Sequence, residues 1–76
     1  MFVIAATIES RKMFMCKDRK WRSNPLSGDF KECLQTFKKP NNATTKVKRL
    51  VLRNPQCDAK VIPADEAYNH MANNPY

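Results

Sequence analysis

The pattern of apolar and polar positions predicts strands near both ends of the chain. Residues 2–8 are apolar with several β-branched side chains, which favours a first strand. A polar turn at 9–12 separates them from a second apolar stretch at 13–16, so we expect an antiparallel hairpin. Residues 58–63 have a similar character and predict a last strand.

A helix is predicted between two breaks in the pattern, Pro40-Asn41-Asn42 and Asn54-Pro55. Asn42 is the expected N-cap, because its side chain can accept a hydrogen bond from the first helical turn. Pro55 disfavours helical angles in the residue before it, which predicts that the helix ends there. The apolar positions between the breaks share one helix face and are Ala43, Val47, Leu50 and Val51.

Two other segments have less regular patterns. Residues 30–37 fit both helical and alternating spacing, and we expect a helical turn near 29–33 followed by a strand near 34–38. Acidic residues after Pro63 favour the start of a short C-terminal helix, and residues 73–76 are expected to be loose. The predicted order is ββ(β)αβ, with or without that last helix. This is a single small α+β domain, in which an antiparallel sheet packs on one main helix.

Both faces of the predicted hairpin are apolar. In the first strand Phe2, Ile4, Ala6 and Ile8 face one side, and Met1, Val3 and Ala5 face the other. One main helix covers only one face of a sheet. We therefore expect the second face either to be covered by residues 64–76 or to form a protein-binding or homodimer surface.

The length and composition of the chain argue against an enzyme. A chain of 76 residues buries only about 60% of the surface that it exposes when unfolded, which leaves little room for a water-excluding pocket. Its single glycine excludes a glycine-rich phosphate loop. The carboxylate pairs Asp29/Glu32 and Asp65-Glu66 match no acid–base or metal constellation. We expect no catalytic residues, no cofactor and no metal.

The cysteine pattern favours reduced thiols over a metal site. Cys16, Cys33, Cys57 and His70 are 17, 24 and 13 residues apart and include no C-x-x-C pair, so zinc binding is not expected. No basic residue precedes the apolar N-terminal stretch, as a secretory signal requires, and no stretch is long enough to span a bilayer. We therefore expect a cytoplasmic protein without a membrane partner.

The basic residues are the strongest functional signal, since 14 Lys and Arg against 7 Asp and Glu give a net charge of +7. Such an excess favours a polyanion or an acidic protein surface as partner. The helix is predicted to carry Lys46, Arg49 and Arg53 opposite its apolar face, with Lys48 and Leu52 also on the outside. The hairpin turns add Arg19, Lys20 and Arg22 around Trp21. The alternatives are a solvated helix face and, for Trp21, a place in the core.

Several segments together resemble a group of viral proteins. They are the opening Met1-Phe2-Val3-Ile4, the hairpin, Lys20-Trp21, a strand ending at Phe37, one basic helix and the closing Lys60-Val61-Ile62. Over most of residues 1–62 the chain resembles the short early-region proteins of tailed phages, which serve in host takeover or against host defence. The resemblance implies a non-enzymatic protein that binds host machinery such as RNA polymerase, a nuclease or a CRISPR defence complex.

These observations lead to one expected function and two alternatives. We expect a basic protein that inhibits or modulates a host complex handling nucleic acid, through contact with an acidic protein patch, in the host cytoplasm if the protein is viral. The first alternative is a direct, sequence-tolerant DNA- or RNA-binding protein. The second is a structural or assembly protein without a nucleic-acid role.

Overall fold

The computed structural model describes residues 1–25 and 33–73, and within them it confirms the α+β class. The strands of this part are β1 (Phe2–Ile8), β2 (Arg11–Met15), β3 (Trp21–Arg22) and β4 (Lys60–Pro63); its helices are α1 (Pro40–Arg53) and α2 (Ala64–Asn73). All neighbouring strands are antiparallel, in the order β3-β2-β1-β4. None of the helices in the described ranges is long and apolar enough to cross a membrane.

The predicted hairpin is confirmed, and β1 lies in the middle of the sheet. Ala5 of β1 is paired with Phe14 of β2, and Val3 is paired with Ile62 of β4. Residues 3–6 are all buried, as expected for a strand that is covered on both faces. The apolar character of both faces of the hairpin therefore follows from burial on both sides.

One helix packs on each face of the sheet. On the first face, α1 places Ala43 against Ile4, Ala6 and Met15. On the second face, α2 places its buried residues Ala64, Ala67 and Met71 against Val3, Ala5 and Phe14. The second face is therefore covered by the C-terminal segment, which is the first of the two alternatives drawn from the sequence. The face where a homodimer surface was the alternative is thus occupied by α2, and a homodimer stays an untested prediction.

The predicted N-cap of the main helix is wrong, and its predicted end is confirmed. The N-cap is Lys39, which has extended angles and no side-chain cap hydrogen bond, and Asn42 lies inside the first turn. Pro40 explains the earlier start, because its fixed φ and missing N–H suit the first helical position. At the other end the backbone N–H of Asn54 donates to the carbonyl of Leu50 at 3.0 Å, just before Pro55.

Residues 34–38 do not form the third strand that the sequence predicted there. Leu34 and Phe37 form only isolated bridges, with Cys16 and Phe2 respectively, and the third strand is β3 instead. Cys16 and Phe2 lie at the same end of the β1–β2 pair, so the segment 33–37 crosses that end rather than following one strand. The helical turn expected near 29–33 falls almost entirely outside the described residues.

Candidate binding groove

A groove lies between α1 and the part of the sheet formed by β2 and β3. Its volume is about 520 Å³. Its lining residues are Met15, Arg19, Trp21, Phe37, Asn42, Thr45, Lys46, Arg49, Leu50 and Arg53. The two basic clusters predicted from the sequence, one on the helix and one around Trp21, thus contribute to the same concave surface, which we call the basic groove.

The apolar side of the basic groove comes from the core beneath α1. Met15 is buried, whereas Trp21, Phe37 and Leu50 are half-buried and pack against the same cluster. Trp21 is paired with Met15 in the sheet, which points its indole toward α1. Trp21 was expected either in the core or at a binding surface, and it contributes to both: it packs against the core cluster and also lines the groove.

The charged side of the basic groove carries cations only. Arg49 and Arg53 lie one helical turn apart on α1 and are exposed. Arg19 is exposed in the turn between β2 and β3, where its φ of 67° and the hydrogen bond from its N–H to the carbonyl of Cys16 form a tight turn. In the described part of the chain no carboxylate lines the groove. The field in it is therefore positive and attracts anions.

Lys46 differs from the other groove cations because it is half-buried. Its Nζ donates a hydrogen bond of 2.7 Å to Oε1 of Gln35, in the segment that crosses the end of the sheet. Burial lowers the pKa of Lys46 from its ordinary value, and the charge of Arg19 lowers it further. Lys46 was expected on the solvent side of α1, opposite its apolar face, but it is half-buried because residues 33–37 lie beside this part of α1.

The remaining predicted residues lie outside the basic groove. Lys48 and Leu52 are on the outer surface of α1, where Leu52 is 82% exposed, and Lys20 is exposed in the β2–β3 turn. Arg22 follows Trp21 in β3 and therefore faces the other side of the sheet. Its guanidinium donates to both carboxylate oxygens of Asp18, at 2.9 and 2.7 Å.

Phe37 and Met15 are groove residues that the sequence did not indicate. Phe37 reaches the groove because its backbone exchanges two hydrogen bonds of 2.8 Å with Phe2, which fixes residues 33–37 next to α1. That pairing joins residues distant in sequence, and no local pattern reports it. Two sequence signals indicated part of this site: the helical spacing of the basic residues on α1 and the basic residues around Trp21.

No protein-family model matches the chain, and it matches no curated protein and no solved structure. The resemblance to early-region phage proteins therefore stays a prediction from the sequence.

Proposed function

We propose that the protein binds single-stranded nucleic acid in the basic groove and performs no catalysis. The supporting observation is that Trp21 and four cations (Arg19, Lys46, Arg49 and Arg53) line the same concave surface. Proteins that bind single strands without sequence preference combine a cationic groove for the backbone with an aromatic ring on which a base stacks. The proposal therefore favours the first alternative drawn from the sequence over the expected inhibitor.

The shape of the groove supports a single strand over an acidic protein patch. Its volume of about 520 Å³ lies in the range of pockets that hold small organic ligands, about 300–1,000 Å³. A nucleotide or two of an extended strand enters such a space, whereas a flat protein face makes contact only with its rim. The half-buried Trp21 offers a ring on which a base can stack, an interaction that a carboxylate side chain does not make.

Trp21 is the single tryptophan of the chain, so its fluorescence reports directly on the groove. We expect an oligothymidine of about 8–12 nucleotides, which is within the usual site sizes, to quench this fluorescence on binding. Heparin carries negative charge without bases and serves as the control polyanion. We expect it to bind with far less quenching.

The salt dependence provides an independent measure of the contacts. Each phosphate neutralised on a single strand contributes a slope of about −0.7 to the plot of log affinity against log salt, so four contacts predict about −3. A slope near zero, or equal quenching by heparin and the oligonucleotide, would contradict the proposal.

A second candidate function rests on the outer surface of α1. The exposed Leu52 lies one turn from the exposed Lys48, and an apolar side chain next to cations suits contact with an acidic protein surface. Such a contact fits the inhibitor or modulator of a host nucleic-acid complex that the sequence suggested. A pull-down from host lysate, with and without nuclease, distinguishes nucleic-acid binding from contact with a protein. A partner that is retained after nuclease treatment and lost in Leu52→Asp would support contact with a protein through the outer surface of α1.

A further inference from the structure

A cluster of reactive side chains lies away from the basic groove, at the end of β2. The sulfurs of Cys16 and Cys33 and a carboxylate oxygen of Asp18 all lie within 4.8 Å of one another. Nη1 of Arg22 donates to Sγ of Cys33 at 3.2 Å, and the same guanidinium is held by Asp18. Two thiols that are 17 positions apart in the sequence thus meet beside a fixed positive charge.

The backbone holds the two cysteines on paired segments. Cys16 forms a bridge with Leu34, and the N–H of Lys17 donates to the carbonyl of Cys33 at 2.7 Å. Close approach of the two backbones is the main geometric requirement for a disulfide. Both thiols are free in this structure.

The two thiols differ in access and in environment. Cys16 is fully buried, whereas Cys33 is partly exposed and contacts Arg22. The thiolate is the form that attacks disulfides, and Cys33 is the one of the two thiols that a reagent in solution can reach. Burial raises the pKa of Cys16, so this thiol reacts slowly with reagents in solution but lies next to the sulfur of Cys33. The pair therefore has an accessible attacking thiol and a sheltered resolving thiol.

We propose that Cys16 and Cys33 are a thiol-modification site that forms a reversible disulfide by exchange with a low-molecular-weight disulfide such as oxidised glutathione. The Cys33 thiolate attacks one sulfur of the small disulfide, its S–S bond breaks, and one half leaves as a thiolate. Cys16 then loses its proton and attacks the sulfur of Cys33, which displaces the second half. The two protein thiols are oxidised, and the small disulfide is reduced to two thiols that take up the two protons.

The position of Arg22 favours this chemistry over metal binding. Two sulfurs and a carboxylate are a donor set that zinc accepts, but the guanidinium already donates to Asp18 and Cys33 and holds a positive charge at the place that a metal would need. The zinc set considered from the sequence is not assembled either, because Cys57 packs against the cluster on the α1 side. Disulfide exchange uses the two sulfurs without displacing Arg22.

The test incubates the reduced full-length protein with oxidised glutathione and follows intact mass and the remaining free thiols. We expect two of the three thiols to disappear together, and peptide mapping to identify a Cys16–Cys33 link with Cys57 still free. In Cys16→Ala the reaction is expected to stop at a mixed disulfide on Cys33. In Cys33→Ser both remaining thiols should stay reduced, and Cys57→Ser is the matched control that should still form the link.

Two further measurements keep the proposal falsifiable if a cysteine variant fails to fold. Arg22→Gln is expected to slow the first step several-fold in the otherwise native chain, because the hydrogen bond from Nη1 of Arg22 to the attacking sulfur of Cys33 is lost. Co²⁺ added to the reduced protein is expected to give no sulfur-to-metal charge-transfer band. Persistent glutathione on wild-type Cys33, oxidation of Cys57 at the same rate, or a strong cobalt band that depends on Cys16 would each overturn the assignment.

Discussion

Nζ of Lys46 donates a hydrogen bond of 2.7 Å to Oε1 of Gln35, which ties the middle of α1 to the segment that crosses the end of the sheet. Lys46 itself lines the basic groove, so the contact holds a half-buried ammonium group in the same surface as Trp21 and Arg19. The relationship matters for function because a partly desolvated cation interacts with an anion more strongly than an exposed one does.

Binding of an anion at Lys46 should depend on pH in a defined direction. Burial and the charge of Arg19 lower the pKa of Lys46 in the free protein, and a bound phosphate would raise it, because an opposite charge favours the charged form. The complex then holds a proton that the free protein releases as the pH rises. We expect the affinity for oligothymidine to fall as the pH rises through the lowered pKa of Lys46.

Lys46→Arg is the matched control, since arginine stays charged throughout this range. Its affinity should vary less with pH when both proteins are titrated by Trp21 fluorescence between neutral and alkaline pH. An identical pH profile in the two proteins would show that Lys46 does not contact the anion.

Charge reversal on α1 distinguishes the basic groove from a solvated helix face. Arg49 lines the groove and Lys48 is on the outer surface, and both are exposed. Arg49→Glu is expected to weaken oligonucleotide binding about tenfold or more, because hydrogen bonds to charged groups contribute about 1.5–3 kcal/mol. The salt slope should fall by about 0.7 for the lost contact. Arg53→Glu should behave in the same way.

Lys48→Glu changes the net charge by the same amount and serves as the control. It is expected to alter affinity only slightly, and both variants should melt as the wild type does, since exposed substitutions usually change the free energy of unfolding by less than about 0.5 kcal/mol. Equal losses of affinity in Arg49→Glu and Lys48→Glu would indicate that binding depends on the net charge of the protein and not on contacts in the basic groove.

Because α2 covers the second face of the sheet, we expect the same substitution to change the free energy of unfolding very differently at two positions of this helix. Ala67 is fully buried against the sheet, whereas Ala72, on the same helix, is exposed. Ala67→Glu buries a carboxyl group, at a cost of up to about 5 kcal/mol for a pKa raised by some 4 units. That is comparable to the whole stability of a small domain, about 5–15 kcal/mol.

Ala72→Glu should leave the free energy of unfolding nearly unchanged. Urea unfolding followed by circular dichroism compares the two variants directly. If both fold equally well, α2 does not pack on the sheet as described, and the second face of the hairpin is open.

A carboxylate at the edge of the sheet predicts sensitivity to acid. Oδ1 of Asp58 accepts a hydrogen bond of 2.7 Å from the backbone N–H of Thr7, and this bond lowers the pKa of Asp58. A group with a depressed folded-state pKa stabilises the fold above its unfolded-state pKa, and the stabilisation is lost as the pH falls through the folded-state value. Asp58→Asn should therefore be less stable than the wild type near neutral pH.

The difference between Asp58→Asn and the wild type is expected to shrink as the pH is lowered, because the wild-type carboxylate is then protonated. Melting temperatures measured from pH 7 down to pH 2 check this, with Glu9→Gln as an exposed control. A stability difference that stays constant over this range would show that the negative charge of Asp58, which accepts the hydrogen bond from Thr7, does not stabilise the fold.

The sequence alone determined the elements that depend on local pattern. The apolar stretch of β1, the polar turn after it, and the end of α1 before Pro55 were predictable because backbone preferences and side-chain periodicity act over a few residues. The start of α2 was predictable for the same reason, from the acidic residues Asp65 and Glu66 in its first turn. The start of α1 was missed because Pro40 and the asparagines after it are both favourable starting residues.

Tertiary structure decided which surfaces meet. The hairpin was visibly apolar on both faces, but only the three-dimensional packing shows that α2 covers one and α1 the other. The basic groove and the Cys16–Cys33 pair depend on residues 33–37, which bridge to Phe2 and Cys16 from far along the chain. Such pairings are set by the total burial that the folded chain achieves, and no short-range pattern encodes them.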